Sequence, residues 1–356
     1  MKRILIVLTL VVLTAGMVFA SGASEAASQT ATKHFVIATT TGDDVSKGYT
    51  GQRCMLLFVD KLAELSGGKL TAEISWRGAL GNTAQLFSQA AQGTIAMTMC
   101  GLDVLGSLKG ADDTAIFCMP YLFESYDHIH AYIESDAFQA RWASIEKANN
   151  LTLLADIGPS PARNLNTKKP VYSVADVKNM KIRVAESQAS VAAWTAFGAN
   201  PIILSAREIY SALDNNLCDG WENQISVFDA LKTTEVAPYI SRIEYVFQGQ
   251  VVLMNTDLYN SLSDQEKGWI SEALEFAYQH NLDETYGRGE FERAEEDMVI
   301  EEIMANPDFK GIFIPQEELD IDSFKEVASK MWYDFEGTLF SKGMIDEVLA
   351  CAPSKQ

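Results

Sequence analysis

The apolar positions of this chain fall into short runs separated by turn residues, and the runs alternate between strand and helix character. Phe35–Thr39 reads as a first strand, followed by a helix over Val45–Leu65 that Gly67 and Gly68 close. Leu70–Ile74 resumes as a strand. Asn82 then caps a helix that runs through Gln92 and stops at Gly93, where glycine releases the backbone from helical geometry. Ile95–Met99 is apolar and short enough for a buried strand. This order predicts an α/β unit with helices on a largely parallel sheet. Leu151–Ile157 reads as a strand leading out of that unit, and a second unit begins near Arg163. Ser173 with Asp176, Ser205 with Glu208, and Ser263 with Glu266 each have capping-box spacing and predict helix starts. The last opens a helical stretch reaching about Met304, with Gly287 and Gly289 marking a bend.

Length and termini refine this picture. At 356 residues the chain exceeds what one hydrophobic core usually serves, so two domains are expected. Lys2 and Arg3 precede an apolar run from Ile4 to Phe19, and Ala20 follows, which is the pattern of a cleavable signal peptide over residues 1–20. The run is too short for a membrane span, and nothing later approaches eighteen uninterrupted apolar residues, so a soluble mature chain is expected. The small, polar residues 21–32 read as a flexible tether.

The formal net charge of −20 argues against nucleic acid and anionic membranes as partners. An anionic ligand would meet a repulsive mean field, which local arginines must overcome. Five cysteines, none in a C-x-x-C pair, suggest neither a zinc site nor a redox motif; they are compatible with buried free thiols or with a single disulfide. His128 and His130 stand two apart and point to different faces of a helix, and His34 and His280 are remote, so no metal site is expected. The chain contains no G-x-S-x-G elbow, phosphate loop or H-E-x-x-H. With 48 acidic residues a carboxylate pair could always be nominated, so its presence carries no information about catalysis. No catalytic residue and no cofactor are assigned.

The segment ARNLNTKKPVYSVADVKNMKIRVAESQASVAAWTAFGANPIILSAREIYSALDNNLCDGWEN, ending at Asn223, is the richest in chemistry. Arg163 lies just before the Pro170 loop, and Arg183 lies on or beside the β-rich run Lys181–Val184. A guanidinium offers a rigid fork of donors matched to a carboxylate, which lysine cannot reproduce. Asn223 could add an amide. By residue type alone both arginines are as well read as surface charges.

The same segment resembles the core signature of the solute-binding subunits of tripartite ATP-independent periplasmic (TRAP) transporters, the DctP-like family. The blocks are Arg163, Asn166–Pro170, Asp176–Val184, Gly198–Pro201, Glu208–Leu213 and Cys218–Asn223. Gly67–Gly93, Met119–His128 and Val251–Ala277 add further blocks, so the likeness spans roughly residues 35–345. It implies an α/β, two-lobed periplasmic-binding-protein-like fold, with a ligand cleft between the lobes and a long helix spanning both. Lobe 1 is expected over 33–158 and 250–286, lobe 2 over 159–249 and 287–345, and a C-terminal tail over 346–356.

The resemblance further implies capture of a small organic acid, a hexuronate-like sugar acid or a C4-dicarboxylate, for delivery to a TRAP membrane permease by a periplasmic monomer. A ligand-sensing subunit for a membrane receptor is the alternative, and a secreted carbohydrate-active enzyme a remoter one. In this family pattern Arg183 matches the carboxylate clamp, Arg163 a second basic contact and Asn223 an amide at the same end. Arg163 as a surface charge and Asn223 as a turn residue held by Gly220 stay open. Trp221, at a variable position, either walls the pocket or packs the hinge. Glu186 and Ser187 extend the motif to RVAES, which resembles members that bind sugar acids. Asn82 and Gln85 start a helix facing the cleft, where a helix N-terminus suits an anion. Asp103 faces the cleft or serves as a surface cap.

Overall fold

A computed structural model describes residues 32–43, 50–185 and 187–353. The signal-peptide and tether segments lie outside the described residues except for Thr32, and so does Glu186. Nine strands form one sheet: β1 Lys33–Ala38, β2 Leu70–Ser75, β3 Met97–Gly101, β4 Leu151–Thr167, β5 Lys181–Val184, β6 Asn200–Ile203, β7 Gly220–Asn223, β8 Tyr239–Asn255 and β9 Ile312–Ile314. Their order is β2-β1-β3-β8-β4-β7-β5-β6, with β9 paired to β8.

The sheet is mixed for a definite reason. Within each half, β1 pairs in parallel with β2 and β3, and β5 with β6 and β7, as short strand–helix–strand units dictate. Between the halves run β4 and β8, 17 residues each and antiparallel to one another. At ~3.3 Å per residue such a strand reaches roughly 55 Å, enough to belong to both halves. The strand expected over Leu151–Ile157 therefore continues ten residues further and takes Arg163 into the sheet instead of a loop. From Thr32 onward the chain forms one compact unit, built as two lobes on these crossing strands.

Alternation along β8 shows how each lobe is filled. Val252 and Met254 join Phe35, Met55, Phe58 and Leu274 on one face of lobe 1. Val251 and Leu253 join Leu86, Phe117, Tyr126 and Trp142 on the other. In lobe 2, Leu165, Ile182, Trp194 and Phe324 fill one face, and Trp221, Phe228, Ile240 and Val299 the other. Helices Thr50–Leu65 and Asp264–Tyr286 cover the first lobe-1 face; the latter opens with the Ser263/Glu266 box and ends at Gly287, φ 65°. A new helix, Glu295–Ala305, packs Val299 and Ile303 against lobe 2. The expected bend is thus a complete break, because Gly287 adopts the left-handed geometry that ends a helix. The other boxes act more locally: Ser173/Asp176 opens only a 3-10 turn, Val174–Val177, and Ser205 with Glu208 precedes a 3-10 turn before the helix Ile209–Asp214.

The segment expected as a C-terminal tail begins inside a packed helix, Met344–Ala350. Val348 is fully buried against the Tyr126 side of lobe 1, and its carbonyl lies 2.7 Å from His128 Nε2. Three buried apolar residues in one short helix supply enough burial to hold it in place.

The middle of the crossing strands is irregular. The β4–β8 register shifts between Asp156 and Pro159, and again before Arg163 and before Leu165, with Gly158 at φ 101°. Asp156, buried beside this break, accepts hydrogen bonds from Tyr126 Oη at 2.7 Å and the Gly158 amide at 3.2 Å, and its Oδ2 lies 2.7 Å from His130 Nδ1. On β8 opposite, a Cβ at Gly249 would stand 2.7 Å from Tyr126 Cε2, so only glycine lets the ring lie against the strand.

Candidate functional site

A cavity of about 730 Å³ lies where the two lobes face each other. Lobe 1 contributes Asn82, Asp103 and Cys118; lobe 2 contributes Ala185 and Ser187; the C-terminal segment adds Thr338. Two helix starts meet here. Asn82 caps the helix Thr83–Ala91 in a full capping box: its Oδ1 accepts from the Gln85 amide at 3.0 Å, and Gln85 Oε1 accepts from the Asn82 amide at 2.9 Å. Ser187 caps the helix Gln188–Ala196, its Oγ accepting from the Ser190 amide at 3.2 Å. Thr83, Ala84, Gln188 and Ala189 all line the cavity, so the positive ends of both helix dipoles border it. Cys118 and Ser187 line the cavity from opposite lobes, and burial pushes the Cys118 thiol pKa up to about 12.

Arg183 is third in β5, between Ile202 of β6 and Trp221 of β7. Its side chain is 95 % buried in effect, being only 5 % exposed, and Nε and Nη2 donate to the Leu204 carbonyl at 2.8 and 2.6 Å. No carboxylate pairs with it among the described residues. Burial, then repulsion from Arg163, lowers its pKa, against a partial counter-effect of Glu222. Ala185, two residues on, lines the cavity.

Arg163 has a different environment. Its Nη2 donates to Glu222 Oε1 at 2.9 Å and to the Glu222 carbonyl at 3.2 Å, and its Nε contacts Oε2. Tyr245 Oη also donates to Oε2, at 2.7 Å. Burial works against the Arg163 charge, but Glu222 outweighs it and the pKa lies above the ordinary value. Asn223 Oδ1 accepts from the Gln224 amide at 2.8 Å.

Trp221 corrects an expectation. It is fully buried, its indole N–H donates to Asn166 Oδ1 at 2.9 Å and Thr233 Oγ1 at 3.2 Å, and its ring stands edge-on to Phe228. No face is left to wall a cleft. The reason is strand alternation: β7 turns Trp221 into a lobe-2 core and Glu222 the other way, toward Arg163.

Of the residues singled out in the sequence, Asn82 lines the cavity. Gln85 supports it through the capping box. Arg163 stands beside it, close enough for its charge to act on both Asp103 and Cys118. Arg183 and Asn223 lie on β5 and β7 near the strands' carboxyl ends. Asp103 is a true lining residue, and burial raises its pKa, with Arg163 opposing and Glu222 adding to the shift. Thr338 and Leu339 went unrecognised, since nothing in the sequence brings residues so far along the chain back to the cleft. Ser187 at the head of the Gln188 helix was open to an N-cap reading. All five cysteines are free, and four are buried.

The fold and cleft define a two-lobed solute-binding protein. A profile of the bacterial extracellular solute-binding proteins, family 7 (DctP), matches residues 42–337, and the chain belongs to that family. The 2,3-diketo-L-gulonate-binding periplasmic protein of Escherichia coli is 30% identical over 227 residues, covering 63% of this chain and 68% of that protein. The sialic acid-binding periplasmic protein of Vibrio cholerae is 25% identical over 235 residues, covering 66% and 72%. A TRAP solute-binding protein from Sulfitobacter with bound β-D-galacturonate superposes with TM-score 0.73 at 18% identity, covering 90% of this chain and 99% of that one. Members of this family serve TRAP transport by binding solutes and are not enzymes, and membership places the chain in the periplasm.

Proposed function

We propose that the chain captures a sugar acid, a monocarboxylate bearing several hydroxyls, and delivers it as a monomer to a TRAP membrane permease after removal of residues 1–20. The observation that carries this reading is Arg183. A buried guanidinium with one edge held by a carbonyl and no carboxylate partner among the described residues is costly to maintain, and an anionic ligand would complete it. Arg183 stands two residues before the lining residue Ala185, and the two helix starts add positive potential at the cavity itself. The polar lining of Asn82, Ser107, Ser187, Gln188 and Thr338 suits hydroxyls. The E. coli relative is named for binding an oxidised sugar acid and the V. cholerae relative for binding sialic acid, which favours the same class over C4-dicarboxylates.

In this reading Arg183 holds the carboxylate, while Arg163, engaged by Glu222, supplies field more than contact. Asn223 is assigned to the carboxylate end. Glu186, between the lining residues Ala185 and Ser187 in sequence, is assigned to the hydroxyls. We place the lobe boundaries near 158/159 and 249/250, where the β4–β8 ladder is irregular and Gly158 and Gly249 stand. The test is a thermal-shift panel of sugar acids, C4-dicarboxylates and neutral sugars. A ligand at 100 times its dissociation constant adds about 2.7 kcal/mol. A sugar acid should raise the melting temperature where its neutral parent does not, and a panel with no response to any acid would overturn the reading.

A further inference from the structure

We propose that Asp103 is a charge filter in the cavity: it accepts hydrogen bonds from the hydroxyls of a monocarboxylic polyol and turns away ligands that carry a second carboxylate. This rests on the sugar-acid reading above and says which sugar acids qualify.

The cavity is unbalanced in charge. Among its described lining residues there are two carboxylates, Asp103 and Asp112, and no lysine, arginine or histidine. Asp112 is exposed at the rim, whereas Asp103 is partly buried. Asp103 forms no ion pair among the described residues. The cation that acts on it most, Arg163, already spends two edges on Glu222. Its carboxylate packs over a glycine: a Cβ at Gly101 would stand 2.3 Å from Asp103 Oδ1. The two helix starts bring only partial positive charge, and neither forms an ion pair with this carboxylate.

A ligand whose carboxylate lies toward Arg183 therefore presents its remaining atoms to an acceptor-only group of negative charge. Hydroxyls satisfy that group, since each can donate. A second carboxylate cannot donate and meets like charge in a site with poor screening. Selectivity then arises from a repulsive element as well as an attractive one.

Calorimetric titration of the parent protein, Asp103→Asn and Asp103→Ser with two matched pairs tests this. D-gluconate with D-glucarate, and D-galactonate with galactarate, keep the C2–C5 hydroxyls and differ at C6, a primary alcohol in the monoacid and a carboxylate in the diacid. The parent should prefer the monoacid of at least one pair by tenfold or more, equivalent to about 1.4 kcal/mol. Asp103→Asn should bring that preference below about threefold, under half a decade, by strengthening the diacid while weakening the monoacid. The unliganded melting temperatures report whether both variants fold. A parent that binds the diacid as well as the monoacid, or an unchanged preference in both folded variants, overturns the filter while leaving the sugar-acid reading intact. Binding of none of the four acids, with no response in the wider acid panel, overturns both.

Discussion

Arg163 and Glu222 face each other edge to edge across β4 and β7, with Nη2 2.9 Å from Oε1 and the pair almost wholly enclosed. Glu222 is the better buried partner and also takes the Tyr245 hydroxyl. Removing one member of a buried pair strands the other charge, at a cost of about 3–5 kcal/mol. Glu222→Ala and Arg163→Ala should each lower unliganded stability by that amount in denaturant unfolding. A normal midpoint for Arg163→Ala with abolished ligand affinity would instead make it a direct ligand contact.

Arg183 should behave in the opposite manner. It has no carboxylate to strand among the described residues, so Arg183→Ala should leave unliganded melting unchanged or slightly raised, since burying a lone cation opposes folding. Affinity for a confirmed acid ligand should fall by roughly 100- to several-thousand-fold, corresponding to about 3–5 kcal/mol. Arg183→Lys should recover little, because ammonium lacks the planar fork. Melting and calorimetry on the same sample decide; affinity within about threefold of the parent ends the clamp assignment.

Trp221→Ala should damage the fold and spare the site. Truncating a fully buried tryptophan costs about 3–5 kcal/mol, and it leaves Asn166 Oδ1 without one of its donors. Trp221→Phe should cost less. Ligand affinity of the surviving folded fraction should stay within about twofold, well under one decade; a selective affinity loss without destabilisation would return Trp221 to the cleft wall.

Glu296 gives the protein a pH signature of unusual sign. Burial pushes its pKa up from 4.5 to about 7, with Arg242 and Asn164 opposing and Glu244 and Asp297 adding to the rise. Between those values the folded state holds a proton that the unfolded state has released. This part of the stability is therefore present below pH 4.5 and lost as pH rises to about 7. Glu296→Gln should remove that slope, on the order of 3 kcal/mol across the window. Difference curves of unfolding free energy against pH for parent and variant provide the check, and parallel curves would refute it.

Local chemistry explains what could be read without coordinates. The Asn82/Gln85 and Ser263/Glu266 boxes are short-range hydrogen-bond patterns, and both helices start where those residues stand. Lys181–Val184 is a strand for a similarly local reason: the β-branched Ile182 and Val184 alternate between turn signals. What escaped notice depends on partners distant along the chain. Arg163 looked available because Glu222, 59 residues away, is its neighbour only once β4 and β7 pair. Trp221 stayed open between pocket wall and hinge packing because the face it takes is set by register, and a one-residue slip exchanges Trp221 for Glu222. Asp103 carried no motif at all; its role comes from the cavity around it.

The unbroken sheet has a mechanical consequence for a protein that must grip and let go. Lobes strung on a loose linker would tumble independently, and nothing but the solute would restore their alignment. Here any opening has to wind a two-stranded ribbon, β4 against β8, whose hydrogen bonds resist the deformation. The register breaks from Asp156 to Leu165, with Gly158 and Gly249 beside them, concentrate the compliance in a few residues. A relative movement of the lobes would thus twist this ribbon at its irregular middle instead of swinging two bodies about a free linker.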